Sequence, residues 1–232
     1  MPIFRLMDVF KPSAHKKCCR RGVTQSLLSW NNRFSLSIIS NQSESMTTQK
    51  EYLTSTKQQF EYYKVAGEKT FEQLSDNELF WQYSEESNSV AILVNHLWGN
   101  MKSRWTDFLT TDGEKEWRER DLEFESVIKT REELMEKWEE GWASLFDALD
   151  SIDESNFDTK IYIRNQEHSL MKAITRQLTH CAYHIGQIVY IAKMIKADEW
   201  KTLTIPKGKT AEFNKEKFSK GKHSGPLADD LK

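Results

Sequence analysis

Proline and glycine are scarce in this sequence, at 4 and 9 of 232 residues. So few turn-forming residues argue against a loop-rich all-β protein and favour long helices. Cysteine is scarcer still: two of the three are adjacent, Cys18 and Cys19, and the third, Cys181, lies in an apolar stretch. That is no disulfide framework, and it fits a reducing cytoplasm with Cys181 as a small buried residue. No apolar run reaches the 18 or more residues of a membrane-spanning helix, so no membrane partner is expected. The formal charge of −2 gives no footing for a nucleic-acid binder.

What is present is a globular composition. Charged residues make up 29% and apolar residues 38%, and 8 Trp with 12 Phe supply a core. At about 150 residues per domain, the length suggests one or two domains. Charge is uneven: residues 1–45 carry seven Lys/Arg against two Asp/Glu, the rest 26 against 33. The first segment is also rich in Ser, a composition shared with organelle transit peptides. The reading preferred here is a disordered arm or upstream extension at 1–45, because an amphipathic pattern begins directly after Met46. A helical domain over 46–200 and an extended basic tail over 201–232 complete the expected organisation.

Four helical stripes stand out after Met46. Leu53, Thr56, Phe60, Tyr63, Gly67, Thr70 and Leu74 recur at steps of three and four, predicting a helix from about Thr48 to Leu74. Ser89 caps a second, more apolar helix reaching about Leu109, with Gly113 as the left-handed position after it. A third helix, about Thr130 to Leu149, carries Leu134, Trp138, Trp142, Leu145 and Leu149 on one side. Residues 158–167 change pattern: Lys160-Ile161-Tyr162-Ile163 is β-prone and Arg164-Asn165-Gln166-Glu167 suits a turn. Ser169 then caps a fourth helix to about Ala197. The predicted fold is all-α, a four-helix bundle with a short β-like insertion before the last helix.

Histidine carries the chemistry. His15 and His223 read as solvated bystanders. His96 sits between Leu93 and Leu97 in the most apolar helix, and His180 and His184 stand four residues apart on one helix face. Three inward imidazoles without partners would be costly, and a divalent metal removes that cost by using their neutral nitrogens as ligands. Three histidines with an open fourth position is a catalytic pattern for zinc-like metals. Core histidines satisfied by ordinary hydrogen bonds explain the spacing equally well, and the general-base Glu of an HExxH protease is absent from Cys181-Ala182-Tyr183.

Ser89 to Arg104, reading SVAILVNHLWGNMKSR, resembles part of the DinB/YfiT-like superfamily. So do the stretch from Trp105 to Lys115, Ile161 to Arg164 with His168-Ser169, and THCAYHIGQIVYIAK from Thr179 to Lys193. The branch it resembles most is a bacterial domain of unknown function, and the likeness covers about Met46 to Phe218. It implies an up-down-down-up bundle with a three-histidine metal site, here His96, His180 and His184. It also implies a metal-dependent enzyme, a transferase of low-molecular-weight thiols such as bacillithiol or mycothiol, or a hydrolase, with the small thiol or electrophile as partner. The alternative is a metal- or ligand-binding stress-response or interaction protein without turnover. Three imidazoles suit Zn or Ni, then Fe or Mn, and disfavour Mg and Ca.

Asn100, Tyr183, Gln187 and Arg104 are expected near the site, as pocket lining or as partners of the ligands. A local hydrogen bond, a packed ring, a surface amide and a loop salt bridge are their plainer explanations. Arg104, Arg118 and Arg120 flank the Thr110–Lys115 loop and can bind an anionic thiol or carboxylate, or form salt bridges within the loop. His168 is read as a loop stabiliser. A homodimer is expected from the resemblance and from exposed Trp and Tyr on the first and third helices.

Overall fold

The structure is a computed structural model that describes residues 30–222 and 225–231, with side chains from residue 48 onward. Contacts divide the chain into two units, Met1–Ser43 and Glu44–Lys232. In the first unit only the beginning of a helix is described. The expectations for most of the N-terminal arm, for His15 and for His223 therefore fall outside the described residues. Apart from the beginning of that helix, everything that follows concerns the second unit.

The described residues are mainly helical, with six α-helices and a two-stranded sheet. The first helix, α1, runs Trp30–Phe71 and thus begins well before the Thr48 start expected from the amphipathic stripe. No proline interrupts that stretch, and Gly67 is its lone glycine, so nothing in the backbone halts helix growth at Met46. At its other end, Arg131 donates to the carbonyls of Phe71 and Leu74 at 3.3 and 2.5 Å. A guanidinium there satisfies orphan carbonyls at the negative end of the helix dipole. A single turn, α2 (Asp76–Leu79), follows.

Helix α3 (Val90–Trp105) starts where Ser89 Oγ accepts from the Ile92 amide. All its residues except Trp98 and Lys102 are buried, as its nearly continuous apolar sequence requires. It ends at Trp105 rather than at Leu109, because Thr106 turns extended and Asp107 adopts φ 49°. Aspartate tolerates that left-handed conformation better than most residues. Gly113 does not have positive φ. Its N–H donates to Tyr162 O at 2.8 Å, and a Cβ would lie 3.2 Å from Ile163, so glycine serves a close approach there.

Helix α4 (Arg131–Asp150) is capped by Thr130, whose hydroxyl accepts from the Glu133 amide. Leu134, Trp138, Trp142, Leu145 and Leu149 are all buried, as their spacing predicts. The same burial removes one support for the homodimer, since Trp138 and Trp142 are core residues and not an exposed patch. Helix α1 meets α4 closely: a Cβ on Gly67 would come within 2.5 Å of the Trp138 ring.

Strands β1 (Lys160–Ile163) and β2 (Gln166–Ser169) form an antiparallel hairpin where the sequence changes period. Its two turn residues, Arg164 and Asn165, both have positive φ, at 54° and 59°, the geometry that matches strand twist. Asp112 holds the turn, accepting from the amides of Arg164 and Asn165 at 2.7 Å each. Helix α5 (Leu170–Lys196) begins at the Ser169 cap. The tail is not wholly extended: α6 (Thr210–Ser219) forms within it, and Leu203 and Leu231 return to the core. No helix among the described residues is long and apolar enough to cross a membrane.

Candidate metal centre

Helix α3 presents His96 and α5 presents His180 and His184, one turn apart. One ligand atom from each ring can be chosen so that all lie within 4.8 Å of one another. Ring centroids are 5.1 Å apart for His96–His180, 4.8 Å for His96–His184 and 4.6 Å for His180–His184. His96 and His184 are buried and His180 is half-buried. Phe124 stacks on the outer face of the His96 ring, with centroids 4.6 Å apart.

Hydrogen bonds set which nitrogens are free. His96 Nδ1 lies 2.9 Å from Glu123 Oε2, and His184 Nδ1 lies 2.8 Å from Gln187 Oε1. A proton on each Nδ1 satisfies those oxygens and leaves the Nε2 lone pairs bare. His96 Nε2 and His180 Nε2 face each other at 3.1 Å, while His180 Nδ1 is buried without a partner. Two nitrogens on one tetrahedral ion stand about 3.3 Å apart, so the facing pair has the spacing of a shared cation. Burial, followed by the charges of His184, His96, Arg104 and Arg118, pushes His180 down to about 3. Burial also lowers His184, partly opposed by its bond to Gln187. Both rings are thus neutral at pH 7, the form that ligates a metal. Three histidines here can hold a metal ion.

Glu123 is the residue that sequence reasoning missed. It sits on a single 3-10 turn, Asp121–Phe124, and is 4% exposed. Arg118 grips its carboxylate from Nε at 2.7 Å and from Nη2 at 3.0 Å. Asn95 Nδ2 donates to the carbonyls of Leu122 and Glu123, tying the turn to α3. Gly99 makes room, since a Cβ there would fall 2.3 Å from Glu123 Oε1. Burial raises the carboxyl pKa, but hydrogen bonds from His96 and Arg118 outweigh it and hold the group below its ordinary range. A carboxylate behind a histidine Nδ1 is the usual second partner of a metal-bound imidazole.

A cavity of about 480 Å³ opens beside the cluster. Of the residues expected near the site, Asn100, Arg104 and Tyr183 line it, and Gln187 bonds the His184 ring. Tyr183 is 64% exposed and meets His184 edge-on. His168 stays out of the cluster, bonding Gln166 O at 2.8 Å and Arg176 at 3.3 Å. Cys181 is fully buried with its thiol pushed up to about 12, so it is no nucleophile.

The fold and the cluster define a mainly helical protein with a candidate three-histidine metal centre. Residues 47–209 match the family described as "Protein of unknown function (DUF1572)", and the chain belongs to that family. No curated protein and no solved structure matches the chain.

Proposed function

We propose that this protein is a divalent-metal-dependent enzyme of the DinB-like type that joins a low-molecular-weight thiol to an electrophile. In this reading α1, α3, α4 and α5 form an up-down-down-up four-helix bundle, and His96, His180 and His184 hold one transition metal, Zn or Ni before Fe or Mn. The single observation that carries it is the facing of three imidazoles, two with Nδ1 already engaged, at the wall of an open cavity.

Bound there, the metal supplies a Lewis-acid position that lowers a thiol's pKa and keeps it as thiolate at neutral pH. The chain's own residues do the rest. Glu123 and Gln187 fix the tautomers of His96 and His184, so that both present Nε2. Phe124 and Tyr183 border the cluster with apolar rings, which limits the water that reaches it. The cavity leaves a side from which substrate can approach. The setting is taken to be a bacterial cytoplasm. A homodimer rests on the resemblance alone.

Elemental analysis of purified protein beside His184→Ala tests the site. Wild type should hold near one equivalent of metal and the variant much less; equal content in both refutes the centre. Metal-loaded protein is then screened with small thiols and electrophiles. Turnover that vanishes in the variant supports the enzyme, whereas metal without turnover supports the alternative, a metal-binding protein without catalysis.

A further inference from the structure

Five of the thirteen residues that line the cavity beside the histidines are arginines, and none is acidic. Two of the five are already neutralised. Arg118 pairs with Glu123 and Glu114, and Arg164 pairs with Glu114 at 3.1 Å. The other three, Arg104, Arg120 and Arg176, have no ion pair among the described residues. Arg104 is 7% exposed, yet it bonds only neutral amide oxygens, Asn100 Oδ1 at 3.4 Å and Gln177 Oε1 at 3.1 Å. Its Nε is buried with no partner at all. Arg176 reaches only the ring of His168, and Arg120 lies over the Phe124 ring.

A buried guanidinium without a counter-charge is costly, and an apolar side chain in its place would ordinarily be more stable. Arg104 is also close enough to Arg176 and Arg118 that their charges, after burial, help lower its pKa to about 10. It remains cationic at neutral pH all the same. Gln177, itself fully buried and held by Trp105 Nε1, fixes the guanidinium from behind. The arrangement is therefore built to aim positive charge into a space of small-molecule size.

We propose that this cavity binds a small organic oxyanion carrying two or more negative charges, held by Arg104, Arg176 and Arg120 beside the histidine cluster. A dicarboxylate and a phosphate share that chemistry, and guanidinium forks suit either. The assignment of the anion as part of the substrate rests on the reading that the cluster is the reaction centre; the anion site itself does not need the metal.

The test uses the full chain in two forms, chelator-treated and metal-loaded, titrated by calorimetry with succinate, inorganic phosphate and acetate. Succinate or phosphate should bind at least tenfold more tightly than acetate, and whichever binds identifies the source. Arg176→Gln should weaken that binding at least tenfold, with metal content unchanged. Arg176 is solvent-exposed, so the variant should fold; Arg120→Gln is the second variant. Lys50→Gln, the same charge change outside this cavity, should bind like wild type. The proposal is overturned if no anion binds, if acetate binds as well as the dianions, or if neither arginine variant weakens binding. Anion binding in protein that never holds metal would uphold the anion site while removing the metal centre. One equivalent of metal without anion binding would do the reverse.

Discussion

Glu123 sits behind the histidine cluster, and its value is measurable. Glu123→Gln keeps the shape but cannot neutralise Arg118 or strengthen His96 as a ligand. Metal affinity should fall about 10- to 100-fold, with little change in the helical circular dichroism. Competition against a calibrated chelator reads the affinity, and an unchanged constant would show that His96 needs no such partner. Neither Glu123 nor Arg176 was legible in the sequence. Glu123 lies in an acid-rich loop where every carboxylate looks solvated, and its burial depends on partners distant in sequence, His96, Asn95 and the gap above Gly99, as well as on nearby Arg118. His96, His180 and His184 were legible because a polar residue on an apolar helical face is a local pattern.

At the scale of the elements, helix starts were readable and helix ends less so. Ser89 and Ser169 cap as expected, and Thr130, read only as a helix start, caps the same way, because capping depends on a hydroxyl and an amide three residues apart. The insertion was readable in part: β-prone Lys160–Ile163 form β1, but Gln166 and Glu167, read as turn, belong to β2, which reaches Ser169. The end of α3 at Trp105 was not readable, because the expected left-handed residue was Gly113 and Asp107 took that role. The packing of α1 against α4 gives a direct test. In Gly67→Ala, the new methyl meets the Trp138 ring, which is locked edge-to-face against Phe71 and Trp142. Overpacking of that kind costs about 1–3 kcal/mol, despite the better helix propensity of alanine. Urea denaturation reads the loss; a variant as stable as wild type would mean that the tryptophan yields freely.

For the whole molecule, acidity should act through the histidines first. His180 is lowered from 6.5 to about 3 and His184 is lowered as well. A depressed folded-state pKa contributes stability that is complete above 6.5 and is lost as pH falls toward the folded value. Metal-free protein should therefore lose stability between about pH 6.5 and 4.5, by at most about 1.4 kcal/mol per pH unit for each histidine. The half-exposure of His180 will reduce its share. Below that window the carboxylates with lowered pKa, Glu123 among them, add to the loss. Melting curves from pH 7 to 4.5 check this, with His180→Gln expected to flatten the slope; a flat wild-type curve would contradict it.

The placement of opposite charges has a consequence for what reaches the cavity. Residues 46–232 carry 26 basic against 33 acidic side chains, yet five arginines and no acid line the hollow beside the histidines. Salt at 0.15 M damps electrostatic forces beyond about 8 Å. A small anion that slips inside feels mainly the guanidiniums, while a long polyanion lying across the outside feels the acidic body. If the cavity takes an anion as proposed, short anions should bind there and long polyanions should not.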